Sequence, residues 1–141
     1  MVIDTHVWIS AALSTGGAPA QLVRRVLQRG LPVFSTATFD ELRSRLWTPK
    51  FDRWLSLEDR QRLLHDLNAS AMWVQVGADL AARRFSRDRD DDAFVHAALA
   101  AQAAWLVTGD NDLLAIQAPL PLRILTPAAA LADPGLADAL K

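Results

Sequence analysis

Short apolar runs alternate with longer stretches of helical spacing along all 141 residues. Val2–Ile3 reads as a short buried strand that stops at Asp4. Val7, Trp8, Ala11 and Ala12 then recur at helical spacing, and the Ser14-Thr-Gly-Gly17 stretch breaks that helix. Leu22, Val23, Val26 and Leu27 share one face of a helix predicted over Ala18–Arg29, with Gly30 at its end. Leu31–Phe34 reads as a second strand. Ser35 and Thr36 can cap a helix from Ala37 to about Leu46, which Pro49 stops.

The alternation continues to the end of the chain. Ser56-Leu-Glu-Asp59 has the form of a capping box and opens a helix to about Asn68. Met72–Val76 reads as a strand, 78–85 as a short helix, and an Ala-rich helix starts at Asp91 or Asp92 and runs to about Gln102. Trp105–Val107 is the next strand, Asp110–Ile116 a helical turn, Leu122–Leu125 a last strand and Pro127–Leu131 a last helix. Strands that alternate with helices, and that are apolar throughout, imply a parallel sheet covered on both faces. The expected fold class is therefore α/β: one three-layer α/β/α domain over residues 1–132 with a central, mainly parallel sheet. Residues 133–141 are expected to form a loosely held tail.

Composition narrows the function classes. The chain has no cysteine, so disulfides and thiolate metal sites are excluded. No apolar run approaches the roughly 20 residues of a membrane span, and the start lacks a basic signal-peptide region, so a cytoplasmic location without membrane attachment is expected. Net charge is −1, but it is unevenly spread. Residues 24–62 hold nine Arg/Lys against five Asp/Glu, whereas residues 63–141 hold six against ten. A basic region beside an acidic one suits an enzyme that grips a phosphate backbone and uses carboxylates at its centre.

The acidic residues carry the candidate chemistry. Between Asp88 and Asp112 there are six aspartates in 25 positions, with one arginine, Arg89, inside the first cluster. Carboxylates gathered without partners imply a missing counterion, and a divalent cation is the usual one. Asp4 directly follows the first strand and Asp110 follows Trp105-Leu-Val-Thr-Gly109, the place where open α/β sheets put their sites. With Glu41, which lies mid-helix four residues before Arg45, and Asp92, which opens the Ala-rich helix, they form a set of four acids. Oxygen ligands of this kind suit one or two Mg²⁺ or Mn²⁺ ions and hydrolysis of a phosphodiester.

These residues resemble the PIN domain, in particular its VapC-like toxins from toxin–antitoxin pairs. The resemblance rests on Val2-Ile-Asp-Thr-His6, Glu41-Leu42, the Asp-rich stretch that ends in Asp91-Asp-Ala-Phe94, and Val107-Thr-Gly-Asp-Asn-Asp112. It implies that Asp4, Glu41, Asp92 and Asp110 are the catalytic, metal-binding acids of a Mg²⁺- or Mn²⁺-dependent endoribonuclease. Thr108 and Asp112 would be supporting residues. It also implies an RNA substrate, a cognate antitoxin protein that binds over the active site, and a homodimer. The family usually has Asn at the position of His6, which either hydrogen-bonds in the same supporting role or ligates a softer metal directly.

Other residues carry two readings each. Asp91 either caps the helix or contacts the metal's water shell, and Asp112 either holds its turn or supports catalysis. Asp88 and Asp90 are expected in solvent. Trp47 with Lys50 and Arg53 could stack and grip RNA, mark a partner interface, or simply pack; Trp54 flanks the same loop. Arg43 and Arg45 could reach phosphates, or Arg45 could pair with Glu41 along the helix. Trp8, Trp73 and Trp105 are expected in the core. Two alternatives to a nuclease are a non-catalytic RNA-binding or protein-interaction domain, suggested by His6, and a phospho-acceptor or phosphohydrolase that uses Asp4. The latter lacks the second acid such sites carry, since position 6 is His.

Overall fold

The computed structural model describes residues 1–141. Five strands and nine helices follow in the order β1 (Val2–Ile3), α1 (Thr5–Leu13), α2 (Ala18–Arg29), β2 (Val33–Phe34), α3 (Thr36–Leu46), α4 (Leu57–Ser70), β3 (Met72–Trp73), α5 (Ala78–Ala81), α6 (Asp92–Ala101), β4 (Trp105–Val107), α7 (Asn111–Leu114), β5 (Arg123–Leu125), α8 (Pro127–Ala132) and α9 (Pro134–Ala139). Single 3₁₀ turns sit at Pro49–Phe51 and Arg89–Asp91.

All strand pairs are parallel. β4 lies between β1 and β5, and β2 pairs with β3. The Met1 main chain joins the two groups, because its carbonyl accepts from the Val33 amide at 2.9 Å. The strands therefore run in the order β3-β2-β1-β4-β5. In register, Val2 stands beside Leu106 and Ile3 beside Val107. Because side chains alternate across a sheet, these two rows face opposite layers. Ile3, Val107 and Phe34 join a core with Val7 and Trp8 of α1, Leu22 and Val26 of α2, and Leu42 and Leu46 of α3. Val2, Leu106 and Val33 join a second core with Phe94, Val95, Ala97 and Ala98 of α6 and Leu113 of α7. The three-layer α/β/α architecture expected from the pattern is the one observed.

Local signals explain most boundaries. Ser35 and Thr38 form the reciprocal capping box at α3, while Ser56 accepts from the Asp59 amide at 3.0 Å without a return bond. The Ala-rich helix ends at Gln102, which adopts φ 53° in the left-handed region. The strands are shorter than the apolar runs suggest.

Three expectations need correction. Trp73 is not a core residue: β3 is an edge strand of two residues, and the indole rests one face on Phe34 and Phe39 while 42 % of it stays exposed. Trp105 is half-buried, and only Trp8 of the three is fully enclosed. The helix expected over 78–85 ends at Ala81, because the Phe85 and Ser86 amides bond to the Asp92 carboxylate instead of to helix carbonyls. Residues 133–141 are not loosely held. Asp133 caps α9 through the Leu136 amide and pairs with Arg123, and Leu136 and Leu140 are buried in the first core. The two buried leucines, the Asp133 cap and its pair with Arg123 together offset the entropy of ordering this segment.

Candidate active site

The order β3-β2-β1-β4-β5 reverses direction between β1 and β4. Connections leave the two strands toward opposite sides, which opens a crevice at their carboxyl ends. Asp4 leaves β1 there, and its amide still bonds to the Val107 carbonyl at 2.9 Å. Its side chain is 2 % exposed. Oδ2 accepts from the Thr108 hydroxyl at 2.6 Å, and Oδ1 accepts from the His6 amide at 3.3 Å as the N-cap of α1. Thr108 Oγ1 in turn accepts from the Asp110 amide at 2.9 Å, and Asp110 Oδ1 accepts from the Asp112 amide at 2.7 Å. One fully buried threonine thus ties the ends of β1 and β4 together and orients both aspartates.

Glu41 reaches the same crevice from α3. Its carboxylate accepts from the Thr5 hydroxyl at 3.1 Å. Its pKa lies above the ordinary value, chiefly because it is desolvated and also because Asp4 is near; Thr5, Arg45 and His6 oppose this. Sequence reasoning missed Thr5. Its signal is its place directly after Asp4, where the first turn of α1 must point a side chain back over the strand end. Glu41 and Arg45 form no contact ion pair; the surface pair on α3 is Asp40 with Arg43 at 2.6 Å.

The third acid in the crevice is Asp91. Its carboxyl is pushed up to about 7, first by burial and then by Asp110, Asp88 and Asp4, and Oδ2 is buried without a hydrogen-bond partner. Carboxylate oxygens of Asp91, Asp110 and Asp112 lie within 4.8 Å of one another. Asp91 ends the 3₁₀ turn that runs directly into α6, so it holds the N-cap position with helical backbone and makes no capping bond. The capping role open to it in the sequence is therefore not the one it plays.

Asp92, expected as the third acid, is turned away from this cluster. Oδ1 accepts from the Phe85 and Ser86 amides at 3.1 and 2.7 Å, and Oδ2 meets Arg84 Nε at 3.2 Å. The next residue along a helix points about 100° away, so only one of the two aspartates can face Asp110. The Asp-Asp motif does not say which.

The remaining candidates fall outside the cluster. The His6 side chain is exposed and makes no hydrogen bond; its contribution to Asp4 is a backbone amide, which any residue would supply. Asp88 and Asp90 are exposed as expected, with Asp88 capping the 3₁₀ turn. Trp47, Lys50 and Arg53 lie past the C-terminal end of α3. Trp47 sits under Arg60, Lys50 over Phe51 and Arg53 over Trp54. Arg45 is exposed, and Arg43 is shared between Asp40 and the Phe39 ring.

The donor set fits a hard divalent cation. It consists of carboxylate oxygens only, it concentrates like charge, and it contains a buried oxygen that nothing in the protein satisfies. The residues grouped closely enough to hold the ion are Asp91, Asp110 and Asp112, with Asp4 and Glu41 beside them.

Comparison with known proteins agrees with this geometry. The family model described as PIN domain matches residues 1–112. The chain belongs to the PIN-domain family. It is 25 % identical over 119 residues to an uncharacterized protein of Methanocaldococcus jannaschii, covering 83 % of this chain and 74 % of that protein. Its fold is similar to a chain in the crystal structure of VapBC2 from Rickettsia felis bound to a DNA fragment from their promoter. That match has a TM-score of 0.56 and 14 % identity, and covers 87 % of this chain and 95 % of the other. In this PIN domain, residues beyond 112 add β5, α8 and α9, which close one edge of the sheet and complete the first core.

Proposed function

We propose that this PIN domain is a Mg²⁺- or Mn²⁺-dependent endoribonuclease and the toxin of a toxin–antitoxin pair. The observation that supports this most is the convergence of Asp4, Glu41, Asp91 and Asp110 from four separate elements onto one crevice, with the Asp91 Oδ2 unsatisfied. A cation held there would activate water and neutralise charge developing on a phosphodiester. The chain's own residues do the positioning. Thr108 fixes Asp4 and Asp110 relative to each other, and Thr5 holds Glu41 over the same space. Asp91, raised to about 7 beside Asp110, is divided at neutral pH between its protonated and charged forms, and a cation held there would favour the charged one.

The third metal-binding acid in this reading is Asp91; Asp92 is its structural neighbour. Exposed Arg43, Arg45, Lys50 and Arg53 remain the cations available to an RNA backbone, with Trp47 available for stacking. The similarity in fold to a chain of the VapBC2 structure supports an antitoxin partner; a homodimer and a cytoplasmic location complete the proposal. No helix of the chain is long and apolar enough to cross a membrane. His6, the residue that suggested a non-catalytic domain, leaves Asp4 held by the same backbone bond.

The test is cleavage of end-labelled RNA by the purified protein across a Mn²⁺ titration. Activity that is abolished by EDTA and by Asp91→Asn supports the proposal. Cleavage that persists in excess EDTA, or RNA binding with no metal-dependent turnover, refutes it. A reading frame for a small DNA-binding protein beside this one would support the toxin assignment.

A further inference from the structure

A cavity of about 430 Å³ opens beyond the carboxyl ends of β2 and β3, next to the carboxylate crevice. The two share walls. Ala37 lines the cavity one helical turn before Glu41 on α3, and Ala93 lines it two residues after Asp91 at the start of α6. Val74, Val76 and Ala81 make its sides apolar, and no Lys, Arg, Asp or Glu lines it. Its polar groups are few and have defined roles. His96 is 8 % exposed, and its Nε2 lies 2.8 Å from the Arg83 carbonyl oxygen. A carbonyl can only accept, so Nε2 carries a proton, and Nδ1 has no protein partner. The Gln75 amide offers a donor and an acceptor side by side, also unpartnered in the protein, and the Thr36 hydroxyl stands at the mouth.

A phosphate would want cations, and none lines this cavity; Arg83, Arg84 and Arg89 line the adjoining hollow that shares Ala81 and His96 with it. Apolar walls with a few adjacent donors and acceptors instead suit a flat heteroaromatic ring read along one edge, as unstacked RNA bases are read. The volume lies in the range of small-ligand sites. We propose that this cavity receives the base of a nucleotide flanking the cleaved phosphate, which makes it a source of sequence preference; this rests on the ribonuclease reading above. Gln75 and His96 would select the base, and the shared helices would set its distance from the carboxylates.

The test uses the full chain without metal. Amide NMR spectra are followed in EDTA while adenosine, guanosine, cytidine, uridine and, separately, inorganic phosphate are added. The expected result is that at least one nucleoside shifts the resonances of Thr36, Gln75 and His96. Ala81→Phe, which fills the cavity from an exposed helix, should weaken that binding at least about tenfold. Gln75→Leu, on an exposed side chain, should change which nucleoside binds best. With Mn²⁺ and RNA, Ala81→Phe should raise KM about tenfold and leave kcat within about threefold. Absence of nucleoside shifts, binding indifferent to Ala81→Phe, or phosphate shifting these resonances in place of nucleosides would overturn the proposal. Because the nucleoside titration needs no turnover, failure of the ribonuclease reading and failure of this one are told apart.

Discussion

Asp91 and Asp92 are adjacent, both buried and both acidic, yet the structure gives them opposite fates, and exchanging each for a neutral residue separates them. In Asp92→Ala the Phe85 and Ser86 amides lose their acceptor. A buried amide left unpaired costs about 1–3 kcal/mol. Arg84 is half exposed, so its pair with Asp92 adds no more than about 0.5 kcal/mol. The expected loss is about 3 kcal/mol, or roughly 10 °C in Tm for a chain of this size. Asp92→Asn keeps a carbonyl oxygen for both amides and should cost only about 1 kcal/mol. Asp91 has no donor on Oδ2. In Asp91→Asn an amide takes that place, can donate to Asp110, and removes one charge from a crowded group, so the metal-free protein should be unchanged or more stable by up to about 1 kcal/mol. Function should follow the reverse order. Mn²⁺ affinity by calorimetry, which needs no knowledge of the RNA target, should fall at least about 100-fold in Asp91→Asn and less than about threefold in Asp92→Asn. Thermal unfolding in EDTA completes the comparison. An Asp92→Asn protein that melts like the parent but has lost its metal, beside an Asp91→Asn protein that still binds it, would refute this division of roles.

The pH dependence of the metal-free protein has a defined sign. Asp91 is raised from 3.8 to about 7 in the folded chain, so the folded state holds a proton that the unfolded state has released across that window. Stability should therefore fall as pH rises from about 4 to about 7, and Glu41, also raised, acts in the same direction. Melting temperatures in EDTA should show this decline, Asp91→Asn should flatten it, and added Mn²⁺ should reverse it. Thr108→Val removes the 2.6 Å bond to Asp4 and the acceptor for the Asp110 amide. Denaturant unfolding should show a loss of about 2 kcal/mol, and metal affinity should drop about tenfold. Leu136→Ala should cost about 2–5 kcal/mol in the same assay, a loss that a loose tail would not produce.

Periodicity made the architecture legible because both of its signals are local. The apolar pairs Val2–Ile3 and Leu106–Val107, each followed by a polar residue, read as strands buried on two faces, and Ala18–Arg29 carries its helix stripe unbroken. What was not legible depends on partners far away in sequence. Trp73 has core composition, but β3 has a neighbour on one side only. The last nine residues are short and weakly patterned, and they fold because Leu136 and Leu140 find a core built from residues 3–67. The crevice was legible in outline, since Asp4 and Asp110 follow strand ends. The choice between Asp91 and Asp92 was not, because it is made by the 84–86 loop, whose amides bind Asp92 and so rotate Asp91 toward Asp110.

That rotation leaves the two adjacent aspartates with very different numbers of donors. Asp92 receives two amides and a guanidinium, which satisfy both of its oxygens. Asp4 and Asp110 each receive hydrogen bonds that orient them: Asp4 from Thr108 and the His6 amide, and Asp110 from the Asp112 amide. Asp91 receives none from the main chain and stays beside another carboxylate. A folded protein does not keep such an arrangement for its own stability, since the same fold with Asn at position 91 would have less repulsion to overcome. A positive charge placed there would relieve that repulsion. The arrangement sits where the strand order reverses, in the one crevice on the carboxyl edge from which the connections diverge. On the same edge, the hollow beyond β2 and β3 is lined without any charge. The carboxyl edge thus carries a carboxylate half and a half with an uncharged cavity, bordered through Ala81 and His96 by Arg83, Arg84 and Arg89, and α3 and α6 contribute to both halves. A rigid link between the two halves is what a cut next to a chosen base would require, and it ties the position of Glu41 and Asp91 to the packing of Ala37 and Ala93.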